Sequence, residues 1–295
     1  MKHVIIIVII ALLIVGGFVY FGGSRDKVVL EPVKEPEPVE NTNIATTTPS
    51  QPKSVIGKSV EGRDIKIATY GTGQKEILVV GGIHGGYEWN TVLLSYKLMD
   101  YLKTNPDAIP EGLKVSVIPV LNPDGLYKTV GTTEGDFSIS DIPPVAETAS
   151  GRFNANNVDL NRNFDCNWQK DAKWQSKTIS AGEGAFSEPE SQALRDYVTS
   201  TKPIAAITLY SAANGVYASA CGSISSGTRS LLDTYSKASG YPAYDKFSAY
   251  TVTGDAGDWM AKIGIPSISI LLATHTSIEW DKNLKGITAV LESYK

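Results

Sequence analysis

Between residues 76 and 121 the chain passes from a short continuous apolar run (EILVVGGI, residues 76–83) to apolar side chains at helical spacing, among them Val92, Leu93, Tyr96, Leu98 and Leu102. It then returns to a second short run (KVSVIPVL, residues 114–121). A strand without polar alternation is buried on both faces, and so needs helices above and below it. The succession recurs downstream, with a helix over residues 187–200 opened by Ser187-Glu188-Pro189-Glu190, a strand over 204–210, a helix over 256–263 and a strand over 267–272. Helices and strands in this order predict an α/β fold: a mixed, mostly parallel central sheet flanked by helices. Sites in such sheets lie outside the carboxyl ends of the strands. Asn122-Pro123-Asp124-Gly125 is read as the turn that ends the second strand.

Residues 4–21 (VIIIVIIALLIVGGFVYF) carry no charge and, as a helix, suffice to cross ~30 Å of hydrocarbon. A transmembrane anchor is expected over residues 1–23. The alternative, a cleaved signal peptide, has an apolar core of roughly 7–15 residues that ends at small residues; here Gly22-Gly23-Ser24 lead into charge. Lys2 on one side, with Arg25 and Lys27 on the other, decides little about orientation. Residues 24–53 are rich in Pro, Glu and Thr and hold too few apolar side chains to offset ordering entropy, so a disordered linker is expected there. Residues 54–295 remain as one domain. The linker and the two cysteines favour a location outside the membrane.

A net charge of -4 with no run of Lys and Arg excludes nucleic acid as the natural partner. Two cysteines, Cys166 and Cys221, are too few for a thiolate zinc cluster. Of three histidines, His3 lies ahead of the apolar run, so imidazole chemistry passes through His84 or His275.

Gly81-Gly82-Ile83-His84-Gly85-Gly86-Tyr87-Glu88 ends a strand in glycines and presents an imidazole and a carboxylate, both zinc donors. The glycines permit close backbone approach; the same residues also suit a capped surface turn. A polar loop then carries Arg152, Asn161 and Arg162. Guanidinium forks match carboxylates, so Arg162 with Asn161 is a candidate clamp for a terminal carboxylate and Arg152 a candidate oxyanion stabiliser. The competing reading pairs these arginines with Asp159 or Asp165 to pin the loop.

Taken in order, His84, Glu88, Asn122-Pro123-Asp124-Gly125, Arg152, the stretch from Val158 to Phe164 (VDLNRNF) and Tyr250 with Gly254-Asp255 and Asp258-Trp259 resemble the zinc carboxypeptidase family, of carboxypeptidase A type. The likeness covers residues 54–295 and is most specific at DLNRNF. It implies a Zn2+ cofactor held by His84 and Glu88, a carbonyl-polarising Arg152, a carboxylate clamp of Asn161 and Arg162, and Tyr250 as the tyrosine that closes on substrate. It also implies action on the C-termini of peptides or peptidoglycan stems outside the membrane. Three residues separate His84 from Glu88, where the family has two. This fold would bring Cys166 and Cys221 to one rim of the site, where a disulfide is expected; the alternative is two separately buried thiols.

Two positions break the pattern. Tyr210 stands where the family places its third zinc ligand, a histidine; a neutral phenol with a pKa of about 10 is a poor ligand, so zinc binding is expected to be weakened or lost. Leu271, or Leu272 on a one-residue shift, stands where the family places its general-base glutamate, and losing a positioned base costs about 10²–10⁴-fold in rate. Two readings follow: an active metallocarboxypeptidase, and a catalytically degenerate one that binds peptide C-termini without cleaving them. His275, beyond the strand bearing Leu271, is a candidate replacement ligand or base, against an ordinary hydrogen-bonding role. Asp255 and Asp258 read as helix caps, and Gly257 as the sign of a side-chain pocket without fixed charge.

Overall fold

The computed structural model describes residues 54–295; the expected anchor (residues 1–23) and linker (24–53) lie outside the described residues. Among the described residues no helix is long and apolar enough to cross a membrane. The strands are β1 (Ser54–Lys58), β2 (Asp64–Tyr70), β3 (Lys75–Val80), β4 (Leu113–Ile118), the hairpin β5 (Asp171–Trp174) and β6 (Lys177–Ser180), then β7 (Ala205–Ser211), β8 (Gly215–Ala218), β9 (Ala243–Tyr244) and β10 (Ser267–Leu272). Apart from the hairpin they form one sheet in the order β1-β2-β4-β3-β7-β10-β8-β9. The four middle strands, β4-β3-β7-β10, run parallel, and antiparallel neighbours flank them. The sheet is thus mixed with a parallel centre.

The helices are α1 (Trp89–Thr104), α2 (Pro123–Val130), α3 (Pro189–Thr201), α4 (Ser226–Ser239), α5 (Ala256–Lys262) and α6 (Trp280–Ser293). The continuous apolar run of β3 divides between two cores. Ile77 and Val79 pack with Leu94, Leu98 and Leu102 of α1, Leu231 and Leu232 of α4 and Val290 and Leu291 of α6. Leu78 and Val80 pack with Leu194 and Val198 of α3, Trp259 and Met260 of α5, and Leu160 and Phe164. Each of these buried side chains contributes roughly 1.5–3 kcal/mol, so a polar substitution on either face of β3 removes support from a whole layer.

Strand β3 stops at Val80, short of the glycines, because Gly82 takes φ +59 and turns the chain. Strand β4 likewise stops at Ile118. The expected turn at residues 122–125 is a helix start instead: Asn122 caps α2 by accepting from the Gly125 N–H at 2.9 Å, with Pro123 in the first turn. Turn and N-cap chemistry share these residue types.

A disulfide joins Cys166, just past the Arg162 loop, to Cys221, beyond β8, across a sequence separation of 55. Replacing both cysteines by alanine is expected to lower unfolding stability by about 4 kcal/mol on the chain-entropy account, read as a reduced urea midpoint. Reductant should lower the wild-type midpoint equally and leave the variant unchanged.

Candidate active site

The parallel strands end side by side, which brings residues distant in sequence to one edge. His84 follows β3 in a turn where the Tyr87 N–H donates to the His84 carbonyl at 2.9 Å. At Gly85, with φ +40, a Cβ would lie 2.8 Å from the Asn122 carbonyl oxygen and from the Leu126 nitrogen, so this turn packs onto the start of α2 only with glycine. Glu88 immediately precedes α1. The extra residue between them does not part the two side chains: His84 Nδ1 and Glu88 Oε2 are 3.0 Å apart and both residues are buried.

Asp159 organises what surrounds them. Its Oδ1 accepts from the Asn161 N–H at 3.0 Å and lies 3.1 Å from His84 Nε2, while Oδ2 accepts from Arg152 Nε at 2.8 Å and forms an ion pair with Nη2, also at 2.8 Å. Burial pushes the Asp159 carboxyl up, but the charges of Arg152, then His84 and Arg162, outweigh it and hold the group well below the usual carboxylate range. Burial likewise opposes the charge on Arg152, and Asp159 and Glu88 overcome it. Arg152 Nη1 reaches His84 Nδ1 at 3.2 Å and lies 3.8 Å from Glu88 Oε1. Its guanidinium carbon sits 4.8 Å from the ring centre of Trp174 and 5.6 Å from that of Tyr87. The arginine therefore both pins the loop through Asp159 and points at the imidazole.

Asn161 is largely committed within the protein. Its Oδ1 accepts from the Tyr210 hydroxyl at 2.8 Å and the Ala256 N–H at 3.1 Å, and its Nδ2 donates to Asp255 at 2.7 Å. Arg162 donates through Nε to the Lys173 carbonyl at 3.1 Å and through Nη1 to the Asn161 carbonyl at 2.6 Å. Among the described residues its Nη2 has no protein acceptor. Of the two residues read as a clamp, Arg162 keeps Nη2 and Asn161 keeps the second hydrogen of Nδ2 for a ligand.

Tyr210 and Leu271 are register partners on β7 and β10. Burial, then the charge of Asp255, pushes the Tyr210 phenol well above its ordinary value. With its proton given to Asn161, it offers a metal no anionic oxygen. His84, Glu88, Arg152, Arg162, Tyr210, Tyr250, Leu271 and His275 line one open cleft of about 1460 Å³. Tyr250 stands on its rim, edge-on to Phe247 at 4.9 Å.

Zinc fits the donors along one edge. Two ligands 3.0 Å apart approximate the ~3.3 Å edge of a tetrahedron with ~2.0 Å metal–ligand bonds, and the buried Glu88 Oε2 has no hydrogen-bond partner. The third corner is not supplied by Tyr210. Among the described residues no three His, Cys, Asp or Glu side chains converge closely enough to hold an ion.

Several lining residues escape sequence reasoning. Trp174, at the tip of the β5-β6 hairpin, roofs Arg152 together with Tyr87, and its only sequence signal is an aromatic residue beside the polar turn Gln175-Ser176. Asp255 caps the start of α5, its Oδ1 accepting from the Asp258 N–H at 3.0 Å, whereas Asp258, also read as a cap, accepts from the Ala220 N–H at 2.8 Å instead. Both carboxyl groups also line the cleft. Burial, then the neighbouring Asp255, pushes Asp258 up to about 8.

A family model for zinc carboxypeptidases matches residues 41–279, and the chain belongs to that family. Carboxypeptidase Z of Rattus norvegicus is 32% identical over 122 residues, which are 37% of this chain and 17% of that protein. Carboxypeptidase D of Homo sapiens is 35% identical over 122 residues, 37% of this chain and 8% of that one. The chain thus aligns with less than a fifth of these relatives' length. Among solved structures, carboxypeptidase A from Helicoverpa armigera superimposes with a TM-score of 0.67 at 20% identity, covering 82% of this chain and 68% of that one. The murein-tripeptide amidase MpaA from Escherichia coli O157 superimposes with a TM-score of 0.58 at 20% identity, covering 83% and 93%. These likenesses establish a carboxypeptidase fold.

Asp258 carries a pH signature. From its ordinary 3.8 up to about 8 the folded chain holds a proton that the unfolded chain releases, so stability falls as pH rises through that window. Asp258→Asn keeps an acceptor for the Ala220 N–H, now 2.8 Å from Oδ1. The variant should melt with wild type near pH 4 and above it near pH 8. Asp159, whose pKa is lowered, loses its contribution only as pH falls below its ordinary 3.8, so the two effects separate in a melting-temperature series.

Proposed function

We propose that this domain is a receptor for free peptide C-termini that holds its ligand without hydrolysing it, displayed outside the cytoplasm on the N-terminal membrane anchor. One observation carries the reading: Leu271, in register with Tyr210 and lining the same cleft as Arg162, puts an alkyl group where hydrolysis needs a proton acceptor. Arg162 Nη2 receives the α-carboxylate, and its other nitrogens fix the guanidinium plane through backbone carbonyls. Arg152 Nη1, beside His84 Nδ1, polarises the preceding carbonyl. Tyr250 closes the rim, and Trp174 with Tyr87 excludes water from Arg152. A zinc ion, when bound at His84 and Glu88, supplies a Lewis acid that orients that same carbonyl.

The Cys166–Cys221 disulfide supports an oxidising compartment, and the apolar run of residues 4–21 supports an anchor rather than a cleaved leader. Peptidoglycan stems are the proposed natural ligand, supported by the likeness to a murein-tripeptide amidase. The competing reading, an active metallocarboxypeptidase, draws support from the orphaned Glu88 oxygen.

Calorimetry on the full chain in detergent tests the proposal. Peptides with free C-termini should bind about 10–100-fold more tightly than their amidated forms, the value of one charge-assisted hydrogen-bond pair, and should be recovered intact. Zinc-dependent release of C-terminal residues from wild type would establish the active reading in its place. The double variant Tyr210→His with Leu271→Glu should gain hydrolysis by at least about 100-fold over wild type, since it restores an imidazole and a base at the paired strand ends. A double variant that stays inert while binding zinc would remove Leu271 as the reason for inactivity.

A further inference from the structure

Tyr217, Tyr244, Phe247 and Tyr250 touch one another in series, yet none of them belongs to an apolar core of the described residues. Tyr250 meets Phe247 edge-on at 4.9 Å, Phe247 meets Tyr217 at 5.7 Å, and Tyr217 stacks on Tyr244 at 4.9 Å with the ring planes 21° apart. Tyr217, Phe247 and Tyr250 line the cleft, and Tyr244, 43% exposed, continues the row beyond it. A contiguous aromatic surface left open to water marks a place that a ligand covers.

The row is held rigidly. Tyr217 and Tyr244 are register partners on β8 and β9, which fixes their stack. Gly215 leaves room for it, since a Cβ there would lie 2.7 Å from Tyr244 Cε2. The Tyr217 hydroxyl donates to the Ala213 carbonyl at 3.2 Å, and Asp245, beside Tyr244, pairs with Arg229 of α4 at 2.7 Å. Tyrosines set in this way offer a wide contact face at little cost in side-chain entropy.

The composition of the wall selects the ligand. From Tyr244 to Tyr250 an aromatic residue recurs at every third position, and between them Asp245, Lys246 and Ser248, all exposed, line the same cleft. An apolar peptide side chain is best covered by apolar neighbours on every side, whereas this wall sets open ring faces among a carboxylate, an ammonium and a hydroxyl. Such a wall suits a ligand that is apolar on one face and hydroxylated around its edge, which describes a pyranose. The C–H groups on the flat face of a sugar carry slight positive charge and meet the negative face of an aromatic ring. Its hydroxyls and any acetamido group are then left for the polar side chains. The cleft, at about 1460 Å³, also exceeds the ~300–1,000 Å³ of a site for one small ligand. A peptidoglycan stem that ends in a free carboxylate bears an N-acetylated amino sugar at its amino end, so one ligand presents both groups.

We propose that Tyr244 and Phe247, backed by Tyr217, form a saccharide subsite for the N-acetylated amino sugar of a glycan-bearing peptide. The subsite rests on the reading of Arg162 as the anchor for the free carboxylate of that peptide. Calorimetry on the full chain in detergent compares three peptides of one sequence with free C-termini: one bare, one bearing an N-acetylated amino-sugar disaccharide at its amino end, and one bearing tryptophan there instead. The glycopeptide should bind about tenfold more tightly than the bare peptide, the order of one aromatic contact. Tyr244→Ala should abolish that gain while leaving the bare peptide within about twofold of wild type, with an unchanged melting temperature because the ring lies outside the cores. Tyr244→Phe, which keeps the ring face, should retain the gain. Equal affinity for glycopeptide and bare peptide, an equal gain from tryptophan, a gain that survives Tyr244→Ala, or an equal loss in Tyr244→Phe would each overturn the saccharide subsite, even where free carboxylates bind in preference to amides. A sugar-dependent gain that Tyr244→Ala removes but C-terminal amidation leaves untouched would support the subsite and overturn the receptor reading alone.

Discussion

The buried carboxylate of Asp159 is the constraint on which the rest of the site depends. It binds Arg152 through two nitrogens, meets His84 Nε2 and caps the turn that carries Asn161 and Arg162. A lone ionised carboxylate at that depth would be prohibitively unfavourable; here the surrounding cations reverse the effect of burial and hold it ionised. The His84 imidazole, the Arg152 guanidinium and the turn that carries Arg162 are thus set by one anion. The cleft is held together by charge satisfaction more than by packing.

Around that fixed centre, Tyr210 and Leu271 form part of the cleft wall. Tyr210 fills its place in the apolar layer and spends its hydroxyl on Asn161, so the strand end is stabilised while a donor position is lost. Leu271 continues the apolar character of β10 to the cleft wall. Neither side chain is an imidazole or a carboxylate, and the proposed receptor reading rests on that. The roof of Trp174 and Tyr87 over Arg152 keeps water from the guanidinium and strengthens its interaction with whatever carbonyl it meets.

The central strand buried on both faces was legible because residues 77–80 of β3 lack polar alternation, and the helices because their apolar spacing is regular. Boundaries were less so: glycines after Val80 extended the apparent strand, and Asn122-Pro123 served as a helix start where a turn was read. At the site, the residue types at positions 84, 88, 152, 161, 162, 210 and 271 were all visible, yet their commitments were not. That Asn161 has its amide oxygen and one amide hydrogen engaged follows from Tyr210, Ala256 and Asp255, residues 49 to 95 positions away. The cleft wall formed by the carboxyl groups of Asp255 and Asp258 was hidden in the same way, because an aspartate at a helix start carries no sequence mark of what its oxygens face.

The sequence alone determined the layered α/β class, the order of its elements and which chemical groups exist, since periodicity and residue identity are local properties of the chain. Tertiary structure decided which of those groups are free. Hydrogen-bond partners come from strands and loops far apart in sequence, and only folding reveals that Arg162 keeps an open donor, that Tyr210 is spent, and that Glu88 and His275 each bury an unmatched atom in one cleft.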